Sequence, residues 1–380
     1  MKSHCIRALL IGCVSLPLLS LTACSASIGW QYVKTDAQGQ VTRLQRSFHY
    51  QGMDYQVSAE LSGALTLDTT GDDIIALPEN SSIAINSTDG SRSFVLEHLH
   101  SNTKRTLTIH GKVADYNAQS RQQIQQLTLM LFRNTPIDAK GRVTTLLAYQ
   151  GAAKVLAEIG LITDDETKKF YITELAKQAA LTELQHIQLL QSTESIESDY
   201  DLTELLLSQA AILPKQPALQ NAMLQASLGI ESDYEKRRLM SQLVKPQSGF
   251  SLSAVVQASL DIESDYELSQ LLQQSAPQVR DDTALDAVLA AAKTMSSSYE
   301  LQQALNTLPF EHFTTAQNER VIAVAAATIE SDYELATLLT ELLRRSPEPQ
   351  ALQKAVTAAL KTISSDSDKV RVFELFYSRG

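Results

Sequence analysis

The chain is poor in the residues that staple small folds or carry common catalytic chemistry. Of its 380 residues only 3 are cysteine, 14 glycine, 10 proline and 1 tryptophan, and aromatics make up 6%. The cysteines are Cys5, Cys13 and Cys24, so no thiol occurs after position 24. That excludes a disulfide framework or a cysteine-bound zinc from the body of the protein. No Gly-x-Ser-x-Gly elbow, His-Glu-x-x-His or glycine-rich phosphate loop is present, and no cofactor is implied. The stretch from Ala8 to Leu21 is apolar but too short and weakly flanked for a stable membrane span. Positive charge is also in deficit. Against 43 Asp and Glu stand 32 Lys and Arg, a formal charge of −11 that disfavours nucleic acid or a bare anionic lipid surface as partner.

Apolar residues make up 44% of the chain, ample for a packed core, and they are organised by repetition. The phrase Ile-Glu-Ser-Asp-Tyr occurs at Ile196–Tyr200, Ile230–Tyr234, Ile262–Tyr266 and Ile329–Tyr333, with a degraded copy at Met295–Tyr299. The tyrosines lie 34, 32, 33 and 34 residues apart, and the same step reaches Ile162–Glu166 on one side and Ile363–Ser367 on the other. A period of 32–34 fits a two-helix solenoid unit. Each phrase ends where a helix should begin. Ser198, Ser232, Ser264 and Ser331 are expected N-caps, and the acid three residues later suggests a capping box reaching back to the cap N–H. Asp199, Asp233, Asp265 and Asp332 would sit in the first turn, where they complement the helix dipole. Tyr200, Tyr234, Tyr266, Tyr299 and Tyr333 are long enough to lie over the next unit. As a set, the acids also admit an acidic track for a cation or a basic partner, although capping and solvation already explain each one. In the preceding helix Met223, Val255, Val288, Ile322 and Val356 recur, as do Ala226, Ala258, Ala291, Ala325 and Ala359. The recurring alanine implies two closely approaching helix backbones.

Before the repeats the period is two. Met53, Tyr55, Val57, Ala59 and Leu61 alternate with polar neighbours, as do Arg105, Leu107 and Ile109. Turn signals separate short runs, and the strongest hairpin joins Ile83–Asn86 to Ser93–Leu96 across Asp89-Gly90. Five or six antiparallel strands are expected. His98 and His100 share one face of a strand, a spacing that can hold zinc; with Glu97 turned away and only His110 to supply a third ligand, exposed strand residues are the expected reading. From Ser120 to Arg133 the pattern is helical, and this helix is expected to cover the sheet or seal the first repeat. The fold expected is α+β: a leader at 1–23, a linker at 24–31, an antiparallel β domain at 32–118, a connecting helix at 119–141 and a right-handed α-solenoid of HEAT-like, TPR-sized repeats at 142–380.

Leu21-Thr-Ala-Cys24 resembles the lipobox of bacterial lipoproteins, which implies cleavage before Cys24 and acylation there, with Ser25 pointing to the outer membrane. Removing Lys2 and Arg7 with the leader takes the formal charge from −11 to −13. A second resemblance covers roughly residues 55–380. Gly63-Ala-Leu-Thr-Leu67, Asp72-Asp-Ile-Ile75, Leu77–Ile85, Lys104-Arg-Thr-Leu-Thr-Ile109 and Ile230–Leu239 follow the layout of accessory regions associated with M56-type (BlaR1-like) membrane proteins. The peptidase motif and membrane spans of that group are missing, so proteolysis does not transfer. The expected function is a lipid-anchored envelope scaffold, held in the bilayer through Cys24 and binding a protein or peptide partner, a basic one by charge, with no nucleic acid. A regulatory subunit of an envelope enzyme, or such an enzyme itself, and a purely structural envelope component are the alternatives.

Overall fold

A computed structural model describes residues 32–377 apart from 38, 100, 101 and 214. Cys24, the leader and the linker therefore lie outside the described residues. Within them, an antiparallel β region is followed by a long series of α-helices with repeat-like packing.

Strands β1 (Tyr32–Thr35), β2 (Val41–Tyr50), β3 (Met53–Glu60), β4 (Thr66–Leu67), β5 (Ile74–Ala76), β6 (Ser82–Ser87), β7 (Arg92–Leu99), β8 (Asn102–Ile109) and β9 (Lys112–Val113) exceed the five or six expected. Seven form one sheet, β1-β2-β3-β6-β7-β8-β9, and β4 pairs with β5 apart from it. The surplus strands have two to four residues, too few for a period of two to show. The expected hairpin is present in register, with Ile83 opposite Leu96 and Asn86 opposite Ser93. Two tighter hairpins turn on Gln51-Gly52 and His110-Gly111, where all four residues have positive φ, 48° and 79° in the first and 47° and 77° in the second. Such turns match the right-handed twist of the flanking strands. Along β3, Tyr55, Val57 and Ala59 are buried while their neighbours face water. The buried face is covered by α1 (Ala118–Asn134), whose Ile124, Leu127, Met130, Leu131 and Phe132 join the sheet core. Asn117 caps α1 by accepting the Ser120 N–H at 3.0 Å.

The remaining helices form two layers. In one, α2 (Ala139–Gln150), α4 (Asp165–Gln178), α6 (Asp199–Ile212), α8 (Asp233–Leu243), α10 (Asp265–Ser275), α12 (Ser298–Asn306), α14 (Asp332–Arg345) and α16 (Asp366–Tyr377) pack each on the next. Between them in sequence come α3 (Ala152–Ile159), α5 (Glu183–Gln191), α7 (Pro217–Ser227), α9 (Leu252–Gln257), α11 (Asp282–Ala292), α13 (Thr315–Thr328) and α15 (Gln353–Ala359). In that second layer α3 packs on α5, α5 on α7, α9 on α11, α11 on α13 and α13 on α15. One apolar core runs through both layers. The motif isoleucines Ile196, Ile230, Ile262 and Ile329 are buried in it, as are Leu205 and Leu206 and their counterparts in later repeats. Ala226, Ala291, Ala325 and Ala359 are buried as expected, whereas Ala258 is only half-buried because α9 ends one residue before it.

Candidate binding surface

The motif serines are N-caps as expected. Ser198, Ser232, Ser264, Ser297 and Ser331 each accept the backbone N–H three residues on, at 3.3–3.4 Å. The reciprocal half of a capping box is not what satisfies the cap's own N–H. The motif aspartate of the preceding repeat accepts it instead. Asp199 accepts from Glu231 and Ser232 at 3.0 and 2.8 Å, Asp233 from Glu263 and Ser264 at 3.3 and 2.7 Å, and Asp332 from Ser364 and Ser365 at 3.0 and 2.8 Å. Asp165 does the same for Glu197 and Ser198, and Asp265 for Ser296 and Ser297. In the degraded copy Ser298 Oγ takes both N–H groups of Glu330 and Ser331 at 3.1 Å. The aspartates thus staple consecutive repeats while also lying in the first turn of their own helices. Committed to backbone N–H groups one repeat away, they are poorly placed to form an acidic track for a cation. Among the described residues no three His, Cys, Asp or Glu side chains are grouped to hold a metal ion.

Freed from the cap, several motif acids bond to cations. Glu267 pairs with Arg237, Glu235 with Arg238 at 2.5 Å and Asp201 with Lys169 at 2.5 Å; Arg238 also reaches Glu204, outside the motif, at 2.6 Å. The tyrosines do not pack down onto the next unit. Tyr200, Tyr234, Tyr266, Tyr299 and Tyr333 are 53–59% exposed. Where contact is made, an arginine lies over the ring: Arg238 over Tyr200 and Arg371 over Tyr333, both from the following repeat, and Arg237 over Tyr234 in its own helix.

His98 and His110 are not brought together. His98 Nδ1 lies 2.9 Å from the Leu77 carbonyl oxygen, and His100 is outside the described residues. His110 occupies the β8–β9 turn. Its neighbour Ile109 pairs with Arg92 while His98 pairs with Thr103, so it stands about six strand residues, roughly 20 Å, from His98.

Sequence reasoning missed a buried polar junction where the sheet meets the first helices. Arg142 is fully buried in α2; its Nε donates to the Gly71 carbonyl at 2.7 Å, and its other nitrogens reach Glu158 at 3.0 Å, the Tyr171 hydroxyl at 3.1 Å and Asp72 at 3.3 Å. Arg133 adds a second cation to Glu158 at 2.7 Å. Burial alone would raise the Glu158 pKa, but the two arginines outweigh it and hold the carboxyl below its ordinary value. Nearby, the buried Arg46 of β2 grips Asp164, the N-cap of α4, with bonds of 2.7 and 3.1 Å. The signal was visible: Arg142 falls on the stripe of Ala139, Val143 and Leu146, a charge in an apolar row.

Comparison with protein-family models, with curated proteins and with solved structures yields no match to this chain.

Proposed function

We propose that the chain is a non-catalytic adaptor of the bacterial envelope. It is lipid-anchored through Cys24, at the outer membrane facing the periplasm, and presents a right-handed solenoid of HEAT-like, TPR-sized repeats to a protein or peptide partner. The observation that carries this reading is the tyrosine row. The isoleucine is taken up by burial, the serine by capping and the aspartate by the next repeat, while the exposed glutamate of Glu197, Glu231, Glu263 and Glu330 gives way to Ser296 in the degraded copy. The tyrosine is retained in all five copies and left mostly in water. In the degraded copy isoleucine has become Met295 and aspartate has become Ser298, yet Tyr299 remains. An exposed aromatic recurring at one register is the amphipathic, low-entropy contact residue that interfaces favour. The net charge would steer a basic partner toward this surface, while the rings supply the contact.

The test is capture from crosslinked envelopes with the wild type, a Tyr234→Ala/Tyr266→Ala/Tyr299→Ala variant, and Cys24→Ser. A stoichiometric protein partner lost in the triple variant is expected. Cys24→Ser should release the protein from the membrane fraction and abolish palmitate labelling. Capture insensitive to the tyrosines rejects the adaptor surface, and unchanged labelling rejects the anchor.

A further inference from the structure

Each motif helix receives the next one through fixed positions. Lys169 of α4 pairs with Asp201 of α6 at 2.5 Å, Arg237 of α8 with Glu267 of α10, and Ser269 Oγ of α10 donates to the Glu300 carbonyl of α12 at 3.0 Å. Every donor stands four residues after its own helix's first residue, and every acceptor two residues after the next helix's first residue. The fourth residue therefore faces the following helix. It is 0–2% exposed at Thr203, Ser269, Gln302 and Ala336, and the seventh is 0% exposed at Leu206, Met240, Leu272, Leu305 and Leu339. In α16 the same two positions are Val370 and Phe373, 52% and 40% exposed. The staple of α16 is spare as well. Asp165, Asp199, Asp233, Asp265 and Asp332 each hold two backbone N–H groups of the following repeat. The Asp366 side chain is 96% exposed and, among the described residues, meets its own Lys369 at 3.4 Å.

We propose that α16 docks an amphipathic helix of a partner protein, set parallel to it as an added motif helix. The segment leading into that helix gives two consecutive backbone N–H groups to Asp366, and its apolar stripe covers Val370 and Phe373. The contact is continuous with the interface this chain already makes from α4 through α16. Two features of the ligand follow. An acid at the residue facing Val370 would be buried without the cation that Lys169 or Arg237 supplies, so that residue is uncharged. The positive end of the docked helix lies beside Asp366, which its dipole favours. A second copy of this chain cannot supply the unit. Its amide pairs from Glu197-Ser198 to Ser364-Ser365 are held by its own acceptors, and α2 already packs on α4 at the start of the series. The site goes beyond the adaptor reading and does not depend on the tyrosine row.

Fluorescence anisotropy on the full chain tests this with a surrogate motif helix. The probe is a labelled peptide of the Ile329–Arg345 sequence carrying Glu334→Ala, held helical by a hydrocarbon bridge on its solvent face. It should bind the wild type. Methylating its backbone nitrogens at Glu330 and Ser331 should weaken binding at least about tenfold, as should Asp366→Ala, since either change removes both hydrogen bonds to the carboxylate. Restoring Glu334 should weaken binding too. Val370→Asp/Phe373→Asp should abolish it; Val370→Asp alone, at the more exposed side chain, keeps the test readable if the double variant melts early. No binding, or binding indifferent to Val370→Asp, overturns the docking site. Binding that needs Val370 but neither Asp366 nor the two amides overturns the parallel, aspartate-held register. Sedimentation of the chain alone is the remaining arm: self-association lost in Val370→Asp would give the face to a second copy and overturn the partner assignment. None of these outcomes bears on the tyrosine row, which the envelope capture tests separately.

Discussion

Replacing Asp233 by alanine removes one staple between two repeats and nothing else of size. Its carboxylate accepts the Glu263 N–H at 3.3 Å and the Ser264 N–H at 2.7 Å. A hydrogen bond to a charged group contributes roughly 1.5–3 kcal/mol net when water cannot substitute. Here Glu263 is exposed and Ser264 half-buried, so water replaces most of the first bond and part of the second. The expected loss for Asp233→Ala is therefore about 1–2 kcal/mol, which for a helical array of this size lowers Tm by about 2–8 °C. Asp233→Ser should lose roughly half as much, because Ser298 already fills the same role with a single hydroxyl. Urea unfolding followed by circular dichroism gives the ordering parent, Ser, Ala. Native-state amide exchange gives the location: the Ser264 amide should lose protection in Asp233→Ala while the Ser232 amide, held by Asp199, does not. The staple is refuted if Asp233→Ala matches the parent, or if Ser264 exchanges at an unchanged rate.

Three further outcomes follow from buried groups. Asp138 accepts the Leu65 N–H at 3.0 Å, and burial, only partly offset by the Leu65 and Gly141 N–H groups, pushes its pKa up to about 6. The folded chain then holds a proton that the unfolded chain releases near pH 4. Stability should fall by roughly 2–3 kcal/mol as pH rises from about 4 through 6, and Asp138→Asn should flatten that slope in urea titrations. Arg142→Met leaves Gly71, Asp72 and Tyr171 without their donor and should destabilise by about 3–5 kcal/mol, with proteolysis opening first near residues 68–73. Ala325→Leu should cost about 1–3 kcal/mol through overpacking; Ala258→Leu, at the half-buried end of α9, should cost less than about 1 kcal/mol in the same melts.

The parts of the fold legible in the sequence are those with a local period. The alternation through Met53–Leu61 gave the buried face of β3, and the Asp89-Gly90 turn gave the register of β6 on β7. The recurring phrase located the start of every motif helix from α6 to α16. What escaped were elements too short to show a period, such as β1, β4, β5 and β9, and interactions whose partners lie far apart in sequence. Arg142 meets Gly71 and Asp72 about seventy residues away, and no pattern in α2 names them. The tyrosines were singled out, but their exposure was not foreseen. A residue in the first turn of a helix can lean onto the neighbouring unit or stand in water, and the choice depends on how far apart the units sit.

The capping-box expectation failed for a reason that orders the whole motif. A backbone N–H forms one good hydrogen bond, so two acceptors compete for the N-cap N–H of each motif helix. One is the acid three residues later in the same helix, and the other is the aspartate of the preceding repeat. The second reaches two adjacent N–H groups at once, as Asp199 does with Glu231 and Ser232, and a two-point acceptor outcompetes a one-point acceptor. The local acid is then released, and Glu235 and Glu267 turn to arginines on the helix surface. Those arginines, Arg237 and Arg238, lie over Tyr234 and Tyr200 and fix the rings at the edge of the array. A single choice of acceptor thus links the staple that stacks the repeats to the orientation of Tyr200 and Tyr234. Breaking a staple at one repeat should accordingly disturb ligand contact at the neighbouring tyrosine as well as stability, an effect that a tyrosine row unconnected to the staples would not display.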